Sequence, residues 1–158
     1  MAQTINLDTS QRVDIVCRKG DTFDLSLTLK DSSNANSIVN EDDSFKMEVR
    51  VSDDSNTAYG AGAGDSNSNI ILSTLDEATG ATKEITVKDS SGENLPISPA
   101  SDAVIEDGIV RFSVTSAIMA TRPAGLYVYD IEMTDASDDD KVTTLIYGTF
   151  KINEDVSV

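Results

Sequence analysis

The chain has 158 residues with no histidine, no tryptophan and a single cysteine, and its 28 acidic against 12 basic side chains give a formal net charge of −16. A field of that sign repels phosphate backbones and anionic membrane surfaces, so neither nucleic acid nor membrane is an expected partner; basic proteins or divalent cations fit it better. The missing histidine removes the commonest general base and every Ser-His or Cys-His nucleophile pair, and one thiol cannot build a tetrahedral zinc site, so no enzyme and no cofactor are expected.

The length fits one domain that hides roughly two-thirds of its unfolded surface. Met1-Ala2-Gln3-Thr4 lacks a basic region followed by an apolar stretch, so no secretory signal is expected. No apolar run approaches the roughly 20 residues that span a bilayer. Cys17 closes the apolar run Val13-Asp14-Ile15-Val16-Cys17, where a buried, inert thiol is the expected role. With no second cysteine, no intrachain disulfide forms.

From Lys19-Gly20-Asp21, read as a tight turn, the chain enters Phe23-Asp24-Leu25-Ser26-Leu27-Thr28-Leu29, where every second residue is apolar. That period places one strand face on a core and the other in water. Phe45 to Val51, Ile85-Thr86-Val87 and Val110 to Val114 repeat it. Thr115 to Thr121 predicts one short helix, capped by Ser116 and stopped by Pro123, as a crossover between sheets. After Gly125, the side chains of Tyr127, Tyr129, Ile131 and Met133 share one face, with the tyrosine hydroxyls at its rim. Val128, Asp130 and Glu132 take the other face, where Asp130 is expected to bond a neighbouring turn or Arg18 or Lys19. Lys141 to Ile152 supplies a last long strand, bulged or closely packed at Gly148.

About seven or eight strands, mostly antiparallel, predict an all-β, immunoglobulin-like antiparallel β-sandwich with one crossover helix. It forms a single domain over residues 1–158, with long loop insertions at about 52–69 and 76–108. The first insertion holds Tyr59-Gly60-Ala61-Gly62-Ala63, whose glycines make ordering costly without a partner. Tyr59, Gly60, Ala61, Gly62 and Ala63 are therefore the candidate partner-contact residues, and the segment lacks phosphate-loop spacing. Glu41-Asp42-Asp43, Asp53-Asp54 and Asp135 to Asp140 read as solvated turns without calcium-loop spacing, which leaves a weak calcium site between loops open.

Both ends of the chain resemble a known group. Cys17-Arg18-Lys19-Gly20-Asp21-Thr22-Phe23, Gly125-Leu126-Tyr127-Val128-Tyr129-Asp130-Ile131 and Gly148-Thr149-Phe150-Lys151-Ile152 are similar to the small immunoglobulin-like virion domains of tailed bacteriophages, including the N-terminal domain of upper baseplate proteins. The resemblance implies a free-standing structural or connector subunit of tail, baseplate or neck, made in the host cytoplasm and carried in the virion. Its partners would be other virion proteins and further copies of itself. Ala2 to Leu7 and Glu154 to Val158 are candidate strands for a neighbour's sheet edge. Two alternatives stand beside it: a capsid decoration protein, and a carbohydrate or receptor-binding module with Tyr59 as its exposed aromatic.

Overall fold

The computed structural model describes residues 2–6, 10–31, 33–35, 43–51, 70–74, 84–92, 108–135 and 141–156. Ten strands and one helix occupy them: β1 (Ala2–Asn6), β2 (Gln11–Arg12), β3 (Ile15–Arg18), β4 (Phe23–Lys30), β5 (Ser44–Arg50), β6 (Ile70–Ser73), β7 (Thr86–Lys88), β8 (Ile109–Val114), α1 (Ser116–Ala120), β9 (Gly125–Asp135) and β10 (Lys141–Asn153). The smaller sheet runs β1-β4-β8-β7; the larger runs β2-β10-β9-β5-β6, with β3 also on β10. The orders β4-β8-β7 and β10-β9-β5-β6 match B-E-D and G-F-C-C′ of an immunoglobulin sandwich, while β1 runs parallel to β4 where strand A would run antiparallel.

The two-period reading maps directly onto burial. Along β4 the pattern alternates without interruption, Phe23, Leu25, Leu27 and Leu29 inward and the polar residues outward. Val110, Phe112 and Val114 of β8 join them, facing Phe45, Met47 and Val49 of β5 and Tyr127, Tyr129, Ile131 and Met133 of β9. Each fully buried Leu, Phe or Met contributes roughly 1.5–3 kcal/mol of transfer free energy. Edge-on aromatic contacts cross the core: Phe45 meets Phe112 at 6.4 Å between ring centres, and Phe23 meets Phe150 at 5.1 Å.

The central pairings are antiparallel, and the N-terminal segment adds parallel ones at the edges. Ala2–Asn6 lies in register on Ser26 to Lys30 of its own β4, so the N-terminal strand completes its own sheet. β2 and β3 run parallel to β10. The turn from β3 to β4 is type II in character: Gly20 takes φ 86°, and the Asp21 amide donates to the Arg18 carbonyl.

Three local expectations change. Thr115, not Ser116, is the N-cap of α1, since its extended backbone lets its hydroxyl accept from the Ile118 amide. The bulge in β10 sits at Leu145, between Thr144 opposite Glu132 and Ile146 opposite Ile131, and it buries Leu145 and Ile146 together. Gly148 instead gives close packing beneath the link between β2 and β3. Cys17 is half-buried, its thiol donating to the Lys151 carbonyl, and burial, with Asp21 nearby, pushes it up to about 11, so it stays protonated and inert at neutral pH. β1, β2, β3 and β6 were absent from the strands read by alternation.

Tyr127 and Tyr129 are buried with their hydroxyls anchored. The Tyr127 hydroxyl donates to the Pro123 carbonyl at 2.6 Å, four residues upstream, which is the tyrosine corner of Greek-key sandwiches. The Tyr129 hydroxyl donates to the Val13 carbonyl at 2.5 Å and pins the N-terminal edge to the core; burial, and then the Asp14 charge, hold its proton on well above the usual phenol range.

Candidate functional site

Among the described residues, the outward parity of the larger sheet carries a dense mixture of charge of both signs. Lys46, Glu48 and Arg50 alternate along β5, and Val128, Asp130 and Glu132 along β9. The leucine-145 bulge turns Tyr147 and Thr149 of β10 to the same side. Register then sets the rows: Arg12, Tyr147, Asp130 and Glu48 stand side by side, with Glu132 and Lys46 in the row on one side and Thr149, Val128 and Arg50 in the row on the other. Together they line a shallow depression of about 520 Å³.

Glu48 is the structural centre of this face. Only 5 % of its side chain is exposed, with Lys46 and Arg50 closing on it from the same strand. Arg50 donates through Nε to Glu48 Oε2 at 2.8 Å and closes on the same oxygen through Nη2. Lys46 Nζ stands 3.0 Å from Oε1, an ion pair by distance but not an aligned hydrogen bond. Asp130 lies directly opposite Glu48, a like-charge cross-strand pair of the kind that destabilises a sheet. Burial, then Glu132 and Glu48, raise the Asp130 carboxyl above its ordinary range against the opposing pull of Arg50 and Lys46. Among the described residues, no hydrogen bond reaches the carboxylates of Asp130 or Glu132.

A stability test follows. Unfolded Asp titrates near 3.9. Between about that pH and the raised folded value, the folded chain binds the extra proton, so stability falls as pH rises across the window and stays lowered above it. Asp130→Asn removes the charge. We expect a gain of about 0.5 kcal/mol at pH 7 after allowance for solvent screening, fading as pH is lowered towards about 4. Urea midpoints at the two pH values measure it, and a loss of stability at pH 7 would refute the assignment.

The sequence expectation for Asp130 is thus corrected: β-register brings it to Glu48 rather than to Arg18 or Lys19. Tyr59, Gly60, Ala61, Gly62 and Ala63 lie outside the described residues, as do 41–42, 53–54 and 136–140 of the acidic segments. Tyr147, 45 % exposed, is the exposed aromatic that sequence reasoning missed. No sequence signal could have found it, because the bulge at Leu145 sets which face of β10 it takes. Among the described residues, no three Cys, Asp or Glu side chains converge as a metal-ligand set, and no helix is long and apolar enough to cross a membrane.

No protein-family model matches the sequence, and no curated protein matches it. Among solved structures, the chain is similar to a family 123 glycoside hydrolase from Clostridium perfringens, described for glycolipid glycan hydrolysis. The identity is 14 % and the TM-score 0.44, over 93 % of this chain and 23 % of that one. The chain therefore spans less than a quarter of that enzyme's length, and a likeness this distant carries no argument about activity.

Proposed function

We propose that the chain is a non-catalytic structural or connector protein of a tailed-bacteriophage virion, in tail, baseplate or neck, acting by multivalent assembly with other virion subunits and further copies of itself. The observation that supports the reading is a pair of exposed apolar side chains at one end of the larger sheet. Val16 and Leu126 flank Lys151 in a single row, 64 % and 65 % exposed, on a rigid face that also carries Val128 and the exposed Val142 among polar and charged residues. Apolar side chains set on a rigid sheet suit lateral docking, where little conformational freedom is lost on contact. The segments that carry the phage resemblance also have clear structural work: one makes the turn into β4, and the other two supply the tyrosine corner and the last strand.

Particles of the source phage, separated into heads and tails and digested for mass spectrometry, test the reading. Enrichment of the chain's peptides in tails supports the connector role. Enrichment in heads moves the assignment to capsid decoration, and absence from both overturns a virion role.

A further inference from the structure

We propose that the depression on the outer face of the larger sheet binds a neutral carbohydrate chain, with a sugar ring stacked on Tyr147 and its hydroxyls held by Asp130, Glu132 and Arg12. The site goes beyond the assembly role and does not depend on it.

Three observations converge. The first is shape and aromatic placement: about 520 Å³ of open, shallow space has one exposed ring, Tyr147, in its lining. A saccharide offers an apolar C–H face to such a ring, and no side chain from a second layer need close over it. The second is the hydrogen-bonding inventory. Neighbouring strands are about 4.8 Å apart, so Arg12, Tyr147 and Asp130, adjacent in one row, fall within about 10 Å. Sugar hydroxyls donate and accept at once. The carboxylates of Asp130 and Glu132 accept no hydrogen bond from a described residue, whereas Arg12, whose Nε donates to Asp14 Oδ1 at 3.3 Å, brings its remaining guanidinium donors.

The third observation is a conflict the fold retains. Asp130 opposite Glu48 costs stability, and local rules are broken most often where a site needs the offending group. A hydroxyl donor laid across Asp130 would relieve that cost on binding. Charge selects the class of sugar. Lys46 and Arg50 are engaged with Glu48, and the chain as a whole carries −16, so a uronic or sialic acid meets repulsion that a neutral hexose does not.

The test is NMR titration of the ¹⁵N-labelled full chain with maltohexaose, cellohexaose and chitohexaose, with hexagalacturonate as the acidic probe. At least one neutral oligosaccharide should give saturable shifts confined to the amides of Lys46–Arg50, Val128–Glu132 and Tyr147–Thr149. Tyr147→Ala should weaken that binding about tenfold or more. Asp130→Asn should weaken it as well while leaving the fold at least as stable, a combination that a purely structural Asp130 would not give. Thr86→Ala, on the outer face of the opposite sheet, should leave binding unchanged. No saturable shift with any neutral probe, shifts centred elsewhere, preference for hexagalacturonate, or full binding by Tyr147→Ala would each overturn the proposal. None of these outcomes bears on whether the chain is found in heads or tails.

Discussion

Gly148→Ala is expected to lower stability by about 2–3 kcal/mol and to loosen one edge of the larger sheet before the rest. A Cβ at this position would press into the backbone carbonyl of Val13 and stand 2.9 Å from Asp14 Oδ1 and 3.0 Å from the Val13 carbonyl carbon. Backbone cannot rotate aside as a flexible side chain can. The link between β2 and β3 would have to lift, and three contacts would go with it. The Val13 amide donates to the Tyr147 carbonyl at 2.9 Å, the Thr149 amide to Asp14 Oδ1 at 3.0 Å, and the Tyr129 hydroxyl to the Val13 carbonyl. Asp14 is the substitute partner where the edge strand breaks, and the Thr149 amide holds its carboxyl below the usual range. Urea denaturation gives the overall loss. Hydrogen exchange should show the Val13 and Thr149 amides losing protection while those of β4 and β8 keep it. Gly125→Ala is the comparison: its Cβ meets the Tyr127 ring and hydroxyl at 3.1–3.2 Å rather than backbone, and a shift of a few tenths of an ångström relieves the contact, so its cost should be smaller. Equal stability of Gly148→Ala and the parent would mean that the edge strand does not sit as described.

That edge illustrates which parts of the fold were legible in the sequence. Where a strand buries one face, its side chains must alternate, and Phe23 to Leu29, Phe45 to Val49, Val110 to Val114 and Tyr127 to Met133 declare themselves by that rule alone. The helix between β8 and β9 was legible too, because Pro123 ends it whichever threonine or serine caps its start. Pairing partners were not. β1 shows only Ile5 fully buried, and β2 has just two residues, both exposed, too little period to reveal a strand, much less one that pairs in parallel. The bulge at Leu145 is likewise silent in one strand's own pattern, since it exists only relative to β9. The candidate site suffers from the same blindness. Lys46, Glu48 and Arg50 are visibly outward, but Asp130 meets Glu48 only through the register of β5 on β9, and Tyr147 joins them only because the bulge resets the parity of β10.

Arg122→Ala is expected to cost about 2–3 kcal/mol, through contacts that link segments far apart in the chain. Arg122 stands in the turn after α1. Its Nε donates to the Ile71 carbonyl at 2.7 Å, and Nη2 lies 3.1 Å from Glu84 Oε1. Glu84 uses its other oxygen to accept from the Ser73 amide at 3.2 Å, and the Ile85 amide donates to the Ser73 carbonyl. One guanidinium thus joins the helix turn, edge strand β6 and the segment that leads into β7 on the opposite sheet. The pair is 17 % and 19 % exposed, so solvent screens it weakly, and truncating the arginine leaves Glu84 and the Ile71 carbonyl partly buried without their donor. Lysine should restore little, because a point charge cannot serve the carbonyl and the carboxylate together in the arginine's forked geometry. A double-mutant cycle with Glu84→Gln should return a coupling of about 1–2 kcal/mol by urea denaturation. Additivity would show that the two residues act separately, and the connection between the sheets at this end would then rest on the Ile85–Ser73 backbone bond and the apolar core.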